Sequence, residues 1–466
     1  MTADPVILLR ATAGATEVRG PCPGPGPGQD DAEWRPRPGT TLEVARELLG
    51  SLAREPVPGL PPFQGGLAGY LGYEVAAQLE RVSPAGPRDL ELPDAFLALY
   101  DWVIAWDHEA GRAWIVSTGA PLDGADDTGG AETAERARRR SAMVEERLRR
   151  DRIPTPRPGT SFGGRAEHGA VHRVPVGEVD SEAAGLHSTF APDEYRAAVA
   201  RIRQDILAGE IFQANLSQRF DSPLASSPFA VYRRLRGQNP APFGAYLELD
   251  RAAVLSVSPE RFLRFDPATR AVETRPIKGT RPRAREGARD ESLARDLVAS
   301  AKDRSENVMI VDLMRNDLSR ECVHGSIRVP SLCALESHPT VHHLVSTVTG
   351  RLRPRADAVS LLEAAFPGGS ITGAPKIRAM EIIAELEPVA RGVYCGSIGY
   401  LGLSGAMDTS IAIRTAVAHG GRLYFSAGGG IVAESDPAEE YRETLHKARA
   451  FFRLLAKSAR REKQPS

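Results

Sequence analysis

Cysteine is scarce in this chain of 466 residues: four are present, Cys22, Cys322, Cys333 and Cys395, and none sits in a CxxC pair. Their spacing supports neither a zinc site nor a disulfide framework, and it points to a reducing, cytoplasmic setting. Charge of one sign is missing too. Lys and Arg number 59 against 60 Asp and Glu, for a net charge of −1, so neither nucleic acid nor an anionic membrane is an expected partner. No apolar run approaches the ~20 residues that cross a bilayer. The opening MTADPVILLRATAG has no basic stretch ahead of its short apolar run and does not read as a signal peptide. What remains is the composition of a soluble globular protein, 42% hydrophobic and 26% charged, long enough for two or three average domains.

Glycine and proline mark the joints. Residues 21–28, PCPGPGPG, read as a low-complexity loop. A short amphipathic helix is expected over 41–55, and the glycines and aromatics of 62–76 suggest element edges in close packing. Residues 92–116 read as a hairpin turning around Glu109-Ala110-Gly111. These make 1–118 an α+β N-terminal lobe. Residues 119–187 read as a connection: an acidic Gly-rich stretch, a charged helix over 132–151, then a segment without periodicity. The second lobe, 188–458, opens with a helix from Pro192 whose Tyr195, Val199, Ile202 and Ile206 share a face, stopped by Gly209. A strand over 210–220 follows, then an antiparallel set over 244–280, a long helix over about 290–318 and a strand over 341–352. A Gly-rich loop feeds a helix within 367–388. Three more strands lead to a closing helix with Asp436 as N-cap and Pro437 in its first turn. No βαβ alternation is present, which predicts α+β with antiparallel sheets.

Several residues stand out for chemistry. Lys278, in RPIKGT, lies between a proline that stiffens the chain and Gly279, which permits close backbone approach or positive φ. On its own it reads first as a solvated lysine at a hairpin end, and only the rest of the chain reverses that. Glu260, in SVSPERFLRF, would be brought near Lys278 by a hairpin, as an acid/nucleophile pair or as a plain salt bridge. Glu306 begins the apolar run Val308-Met309-Ile310-Val311, which reads as buried, so its carboxylate must be paired, protonated or metal-bound. Glu443, with Glu440 and Lys447 on the same side of the closing helix, reads first as a solvated face; jointly with Glu306 it could hold a magnesium ion. The run Ser426-Ala427-Gly428-Gly429-Gly430 between a strand and that helix is an anion cradle or a flexible linker. Arg414, in the apolar strand SIAIRTAV, needs an anionic partner, a substrate carboxylate or an internal acid. Of His342 and His343 on one strand, one must face inward, where a satisfied core histidine is the default.

Taken together, FQANLSQRF, SPERFL, RPIKGT, ENVMIVDLMRNDLSR, HHLVSTVTG, PGGSITGAPKIRAMEII, GSIGY, DTSIAIRTA, SAGGGIVAESDP and EEYRETLHKA resemble the chorismate-utilising enzymes. That family includes the first components of anthranilate and aminodeoxychorismate synthases and the isochorismate and salicylate synthases. The strings cover about 190 to 450, and GGLAGYLGYE with YDWVIAWDH extends the likeness to the N-terminal lobe. The resemblance implies a two-lobed, anthranilate synthase component I-like fold, with antiparallel sheets packed face to face and helices outside. Anthranilate synthases typically carry alanine in the PIxGT slot and aminodeoxychorismate synthases carry lysine, so Lys278 points to the branch that forms 4-amino-4-deoxychorismate for p-aminobenzoate and folate. Water-adding members carry a lysine where this chain has Gln213, which cannot act as that base.

The chemistry follows from the resemblance. Glu306 and Glu443, with Glu440 nearby, would hold Mg2+ against the ring carboxylate of chorismate. Arg414, Tyr394, Lys447 and the Gly428 and Gly430 backbone would orient the two carboxylates. Gly279, Thr280 and His343 would line the ring. Lys278 would attack C2 with Glu260 as general acid for the departing 4-hydroxyl, and ammonia would then add at C4 and expel the lysine. A separate glutamine amidotransferase is the expected ammonia source, since no Cys-His-Glu amidotransferase module accompanies the sequence. Leu8-Leu9-Arg10-Ala11 replaces the Leu-Leu-Glu-Ser-like string of tryptophan-inhibited anthranilate synthases, so tryptophan inhibition is not expected. Anthranilate synthase component I and a catalytically inert homologue are the competing readings.

Overall fold

The computed structural model describes residues 1–21, 32–82, 86–120, 130–150, 173–176, 185–224 and 226–462. Most of the Pro/Gly loop expected at 21–28, and much of the connection expected over 119–187, lie outside the described residues.

The N-terminal part contains β1 (Ile7–Thr12), β2 (Ala15–Arg19), β3 (Arg35–Arg37), α1 (Thr41–Ser51), β4 (Gly66–Leu71), α2 (Ala76–Leu79), β5 (Ala95–Tyr100), β6 (Trp102–Asp107) and β7 (Arg112–Ser117). Then come α3 (Ala131–Arg149), β8 (Val174–Pro175), β9 (His187–Ser188), α4 (Pro192–Leu207), β10 (Gln213–Pro223) and α5 (Pro228–Gln238). Strands β11 (Phe243–Glu248), β12 (Ala252–Ser258), β13 (Arg261–Asp266), β14 (Ala271–Arg275) and β15 (Ile277–Pro282) lead into α6 (Gly287–Ala299) and α7 (Ala301–Ser319). They are followed by β16 (Arg328–Ser337), β17 (Val341–Arg351), α8 (Ala358–Ala365), β18 (Gly373–Ala374) and α9 (Lys376–Leu386). The chain closes with β19 (Ser397–Gly402), β20 (Met407–Ile411), β21 (Thr415–His419), β22 (Arg422–Ile431) and α10 (Pro437–Glu462).

Two antiparallel sheets carry the structure. A twelve-stranded sheet runs β15-β17-β14-β13-β20-β19-β4-β5-β1-β2-β3, with β16 also on β17. An eight-stranded sheet runs β11-β12-β21-β22-β10-β9-β8, with β18 on β10. They face one another through Tyr70 and Ile398 of the first and Ala252, Val254 and Val417 of the second. Helices cover the outer surfaces: α1, α7 and α8 bury Leu42, Leu48, Ile310, Met314, Leu361 and Leu362 against the larger sheet. Helices α4, α5, α9 and α10 do the same for the smaller one.

Strand period explains which side chains enter the gap between the sheets. Along β10, Ala214, Leu216 and Phe220 belong to the outer apolar clusters. Gln213, Asn215, Ser217, Arg219 and Asp221 alternate with them and face the other sheet. On β22, Gly430 lies opposite Asn215, Gly428 opposite Ser217 and Ser426 opposite Arg219, so the glycines sit on that inner face.

Several sequence expectations are corrected. The glycine run is not a linker: Ser426–Gly430 lies inside β22. SIAIRTAV is not one strand. The chain leaves the larger sheet at Ile411 and enters the smaller at Thr415, and Arg414 takes φ +49 between them. AVLSVSPERFLRFD breaks likewise, with β12 in the smaller sheet, β13 in the larger and Glu260 in the gap. The 92–116 segment is three strands, because the chain changes sheets at Asp101, whose carboxylate is held by Arg140 of α3 at 2.9 Å. The long helix over 290–318 is two, broken at Ser300, whose hydroxyl caps α7 by accepting the Asp303 N–H. Within α7 the run after Glu306 is buried on one side only, with Ile310 fully buried and Val308 47% exposed. Elements β1, β2, β3, α5, β16 and α8 are among the additions to the expected set.

Candidate active site

Both crossovers between the sheets fall at the same place, and the candidate residues gather there. Lys278 sits on a β-bulge. Ile277 pairs with Val345 and Thr280 with His343, so Lys278 and Gly279 together oppose one residue of β17. A bulge of this kind re-aims a side chain out of the ladder. Gly279 has φ +88, and a Cβ there would lie 2.9 Å from the Asp303 Cβ and 3.0 Å from Leu297 Cδ1. Only glycine meets both demands. The Lys278 amine is close to the β22 backbone: its Nζ lies 3.4 Å from where a Gly430 Cβ would be. It has no hydrogen bond or ion pair among the described residues.

Glu260 is buried beside it, and the hairpin of β13 and β14 brings the two together as expected, with Arg261 opposite Arg275. Burial pushes the Glu260 carboxyl up to about 7, against the pull of the Ser370 side chain, Lys278, the Ile277 N–H and Arg414. A carboxyl with that affinity can carry and release a proton near neutrality. Arg414, at the second crossover, has its affinity for the proton lowered by burial, and Glu260 is the acid that opposes this.

A second group of charges lies between α7 and α10. Burial raises the Glu306 pKa, opposed by Lys278 and Lys302 and reinforced by Glu443. Glu443 is lowered, chiefly by Lys447, whose Nζ lies 2.7 Å from its Oε1. The same Nζ donates to the Gly428 carbonyl at 2.8 Å. Glu440 is not part of a solvated face: it is 3% exposed, and its Oε1 accepts from Ser435 Oγ at 2.6 Å and from Lys302 Nζ at 3.1 Å. Gly429 has room because it carries no side chain; a Cβ would meet Glu440 Oε2 at 3.0 Å and Glu443 Oε1 at 3.6 Å.

Among the described residues, no group of three or more His, Cys, Asp or Glu could hold a metal ion. Two carboxylates close enough that Glu443 raises the Glu306 pKa, one of them set beside a glycine strand, still fit magnesium. That ion accepts few protein carboxylates and fills its other positions with water and an anionic substrate.

The remaining residues divide. His343 is the inward histidine, 1% exposed. Its Nδ1 shares a hydrogen bond with Thr280 Oγ1 at 2.8 Å, and its Nε2 has no partner. Burial, with Arg414 adding to it, drives its pKa down to about 3, so the ring is neutral at physiological pH. His342 is also buried but is tied to Ser337 and Asp290. Tyr394 stands apart. It is buried beside Cys395 and Arg391, and with Thr415 and Ser426 it lines a pocket whose lining includes none of the other candidate residues.

Sequence reasoning passed over Gln213 except as a missing base. It is 1% exposed, neither amide atom has a partner, and its Nε2 lies 2.3 Å from where a Gly430 Cβ would be. The signal was present only in three dimensions, in the glycine it faces. Asn307 and Ser370 went unnoticed for the same reason.

The sequence model of the chorismate binding enzyme family matches residues 29–453. Aminodeoxychorismate synthase component 1 of Salmonella typhimurium is 43% identical over 89% of this chain and 82% of its own length. Anthranilate synthase component 1 of Streptomyces coelicolor is also 43% identical, over 88% of this chain and 77% of its own. In solved structures, anthranilate synthase component I of Streptococcus pneumoniae superposes with a TM-score of 0.77 at 29% identity, covering 97% of this chain and 91% of that one. Relatives from both branches match most of the chain, and the chain belongs to the chorismate binding enzyme family, as an enzyme of the aminodeoxychorismate and anthranilate synthase component I type.

Proposed function

We propose that the protein aminates chorismate at C4 with ammonia to give 4-amino-4-deoxychorismate, the precursor of p-aminobenzoate in folate synthesis. The observation that carries this reading is Lys278: an amine with no hydrogen bond or ion pair among the described residues, on a bulge, next to the buried carboxyl of Glu260 and the glycine strand. A lysine there can be a nucleophile, whereas an alanine cannot.

In this reading, Arg414 and Lys447 draw in the substrate carboxylates, and Gly428 and Gly430 leave space for them against β22. Gly279, Thr280 and His343 bound the ring. Glu306 and Glu443 would hold Mg2+, with Glu440 behind them. The ion, when bound, neutralises the substrate carboxylate facing two glutamates. The Lys278 amine attacks C2, the ring double bonds shift, and the 4-hydroxyl departs as water with the proton of Glu260. Ammonia adds at C4, the double bonds shift back, and Lys278 leaves as the free amine. The net change is chorismate plus ammonia to aminodeoxychorismate plus water. Removing the carboxylates' ion by exhaustive chelation is expected to abolish turnover; persistence of turnover would refute the two-glutamate site.

The "component 1" in the relatives' names supports a separate subunit that supplies ammonia, and a glutamine amidotransferase suits that role. Cysteine usage supports a cytoplasmic setting. Residues 1–118 and 188–458 are proposed as N-terminal and catalytic lobes joined by 119–187.

The reading is tested by incubating the protein with chorismate, Mg2+ and an ammonium salt and identifying the product by mass and retention. Aminodeoxychorismate, converted to p-aminobenzoate by an added lyase, is the expected result. Anthranilate would overturn the branch assignment, a reading that the anthranilate synthase relatives keep open. No turnover with ammonia or with an amidotransferase and glutamine would make the chain an inert homologue.

A further inference from the structure

We infer that Asn307 is a positioning residue that sets the rotation of α7 and thereby aims Glu306 at Glu443. The inference rests on the two-glutamate site proposed above. Helix α7 lies along β17 and β15 with Ile310, Val311, Met314 and Leu318 buried. Apolar burial is non-directional, so such a face tolerates a small roll of the helix. Asn307 is an amide in that face, and it is 0% exposed. Its Nδ2 donates to the Leu344 carbonyl of β17 at 3.2 Å, and its Oδ1 accepts from the Ser346 hydroxyl.

Ser346 Oγ in turn accepts the Cys333 N–H at 2.9 Å. That amide lies where β16 loses register with β17, between Ser331 and Ala334, and Cys333 takes φ +51 there. A chain of hydrogen bonds therefore runs from the helix through β17 to an irregularity in its neighbour. A buried amide with both ends satisfied admits one register, as a single buried asparagine does in a coiled coil. Sequence neighbours complete the geometry: His343 precedes Leu344 on β17, and Glu306 precedes Asn307 on α7. The hydrogen bonds thus couple the helix carrying the carboxylate to the strand that faces Lys278 and Thr280.

The test uses Mn2+ as a paramagnetic probe in place of Mg2+, titrated by the loss of the free-ion EPR signal with chorismate present and ammonia absent. The wild type is compared with Asn307→Ala, Ser346→Ala and Val311→Ala, the last a cavity in the same helix face that leaves the amide intact. Asn307→Ala is expected to weaken Mn2+ binding about tenfold or more, the usual range for residues that support metal ligands. Ser346→Ala should weaken it less, and Val311→Ala should stay within about twofold of wild type while lowering the melting temperature. Wild-type affinity in Asn307→Ala, or equal losses in Asn307→Ala and Val311→Ala, would overturn the inference and leave the metal site standing. If Asn307→Ala does not fold, Ser346→Ala decides: unchanged binding overturns the inference. A wild type that binds no Mn2+ removes the two-glutamate site, and this inference with it.

Discussion

Nucleophilic attack needs the lone pair of Lys278, which separates a covalent role from a merely electrostatic one. Lys278→Ala removes both; Lys278→Arg keeps the charge and offers no usable nucleophile. Both are expected to cut aminodeoxychorismate formation at saturating ammonia at least a hundredfold, read by product assay. Rescue by arginine would mean that the residue acts through charge alone. Glu260 gives the pH limb. Its carboxyl is raised from its ordinary value to about 7, so the acid form predominates below that pH and is lost above it. At fixed concentration of free ammonia, kcat/KM for chorismate should fall as pH rises through about 7, and Glu260→Gln should lose both the limb and most of the rate. Lys278 and Glu260 were legible because their meaning is local: a proline, a glycine and a hairpin of short span. Gln213 was not, since its amide gains significance only from Gly430 and Lys278, which lie far away in sequence and adjacent in the fold.

The strands and helices hold these groups through a few backbone departures. Gly279 is the clearest: Gly279→Ala would place a methyl against Asp303 and Leu297 in a positive-φ conformation. The cost should be about 1–3 kcal/mol, read as a lower midpoint in urea, with a drop in kcat larger than the stability loss explains, because β15 must shift and carry Lys278 with it. Secondary structure was read well where period and caps were strong. The closing helix, with Asp436 accepting the Ala438 and Glu439 N–H groups, follows its expected start. It was misread wherever one apolar run serves two sheets. SIAIRTAV has the pattern of a continuous strand, and although Pro259 marks a strand junction before Glu260, nothing local says that the chain changes sheets at either place. Those changes are what bring a buried acid and an arginine to one spot.

At the scale of the molecule, a polar joint ties the N-terminal residues to the catalytic ones. Glu74 accepts the Arg391 and Gly392 N–H groups, while the Arg391 guanidinium bonds Glu387 and the carbonyls of Ile371 and Asn215. Arg391 is buried, with Tyr73 stacked 4.6 Å from its guanidinium. Arg391→Met strands the Glu387 carboxylate and two carbonyls, and should cost about 3–5 kcal/mol, measured by denaturant unfolding; a loss below about 1 kcal/mol would show that the joint is incidental. The antiparallel α+β class was readable from strand order and the lack of βαβ units. That N-terminal strands complete the larger sheet was not, because pairings between remote segments leave no periodic trace.

The pairing of β4 with β19 has a consequence for how the molecule is made. Gly66–Leu71 pairs with Ala95–Tyr100 on one side, and its other partner is Ser397–Gly402. At ~5–20 residues per second, a ribosome takes on the order of tens of seconds to deliver that partner. Throughout that interval β4 and the strands β5 and β1 beside it present an unfinished edge. Such an edge invites pairing with other chains. Yield in a cell therefore depends on elongation speed and on chaperone supply while the nascent chain waits, and a truncated message ending before residue 397 would release an aggregation-prone product in place of an independent N-terminal domain.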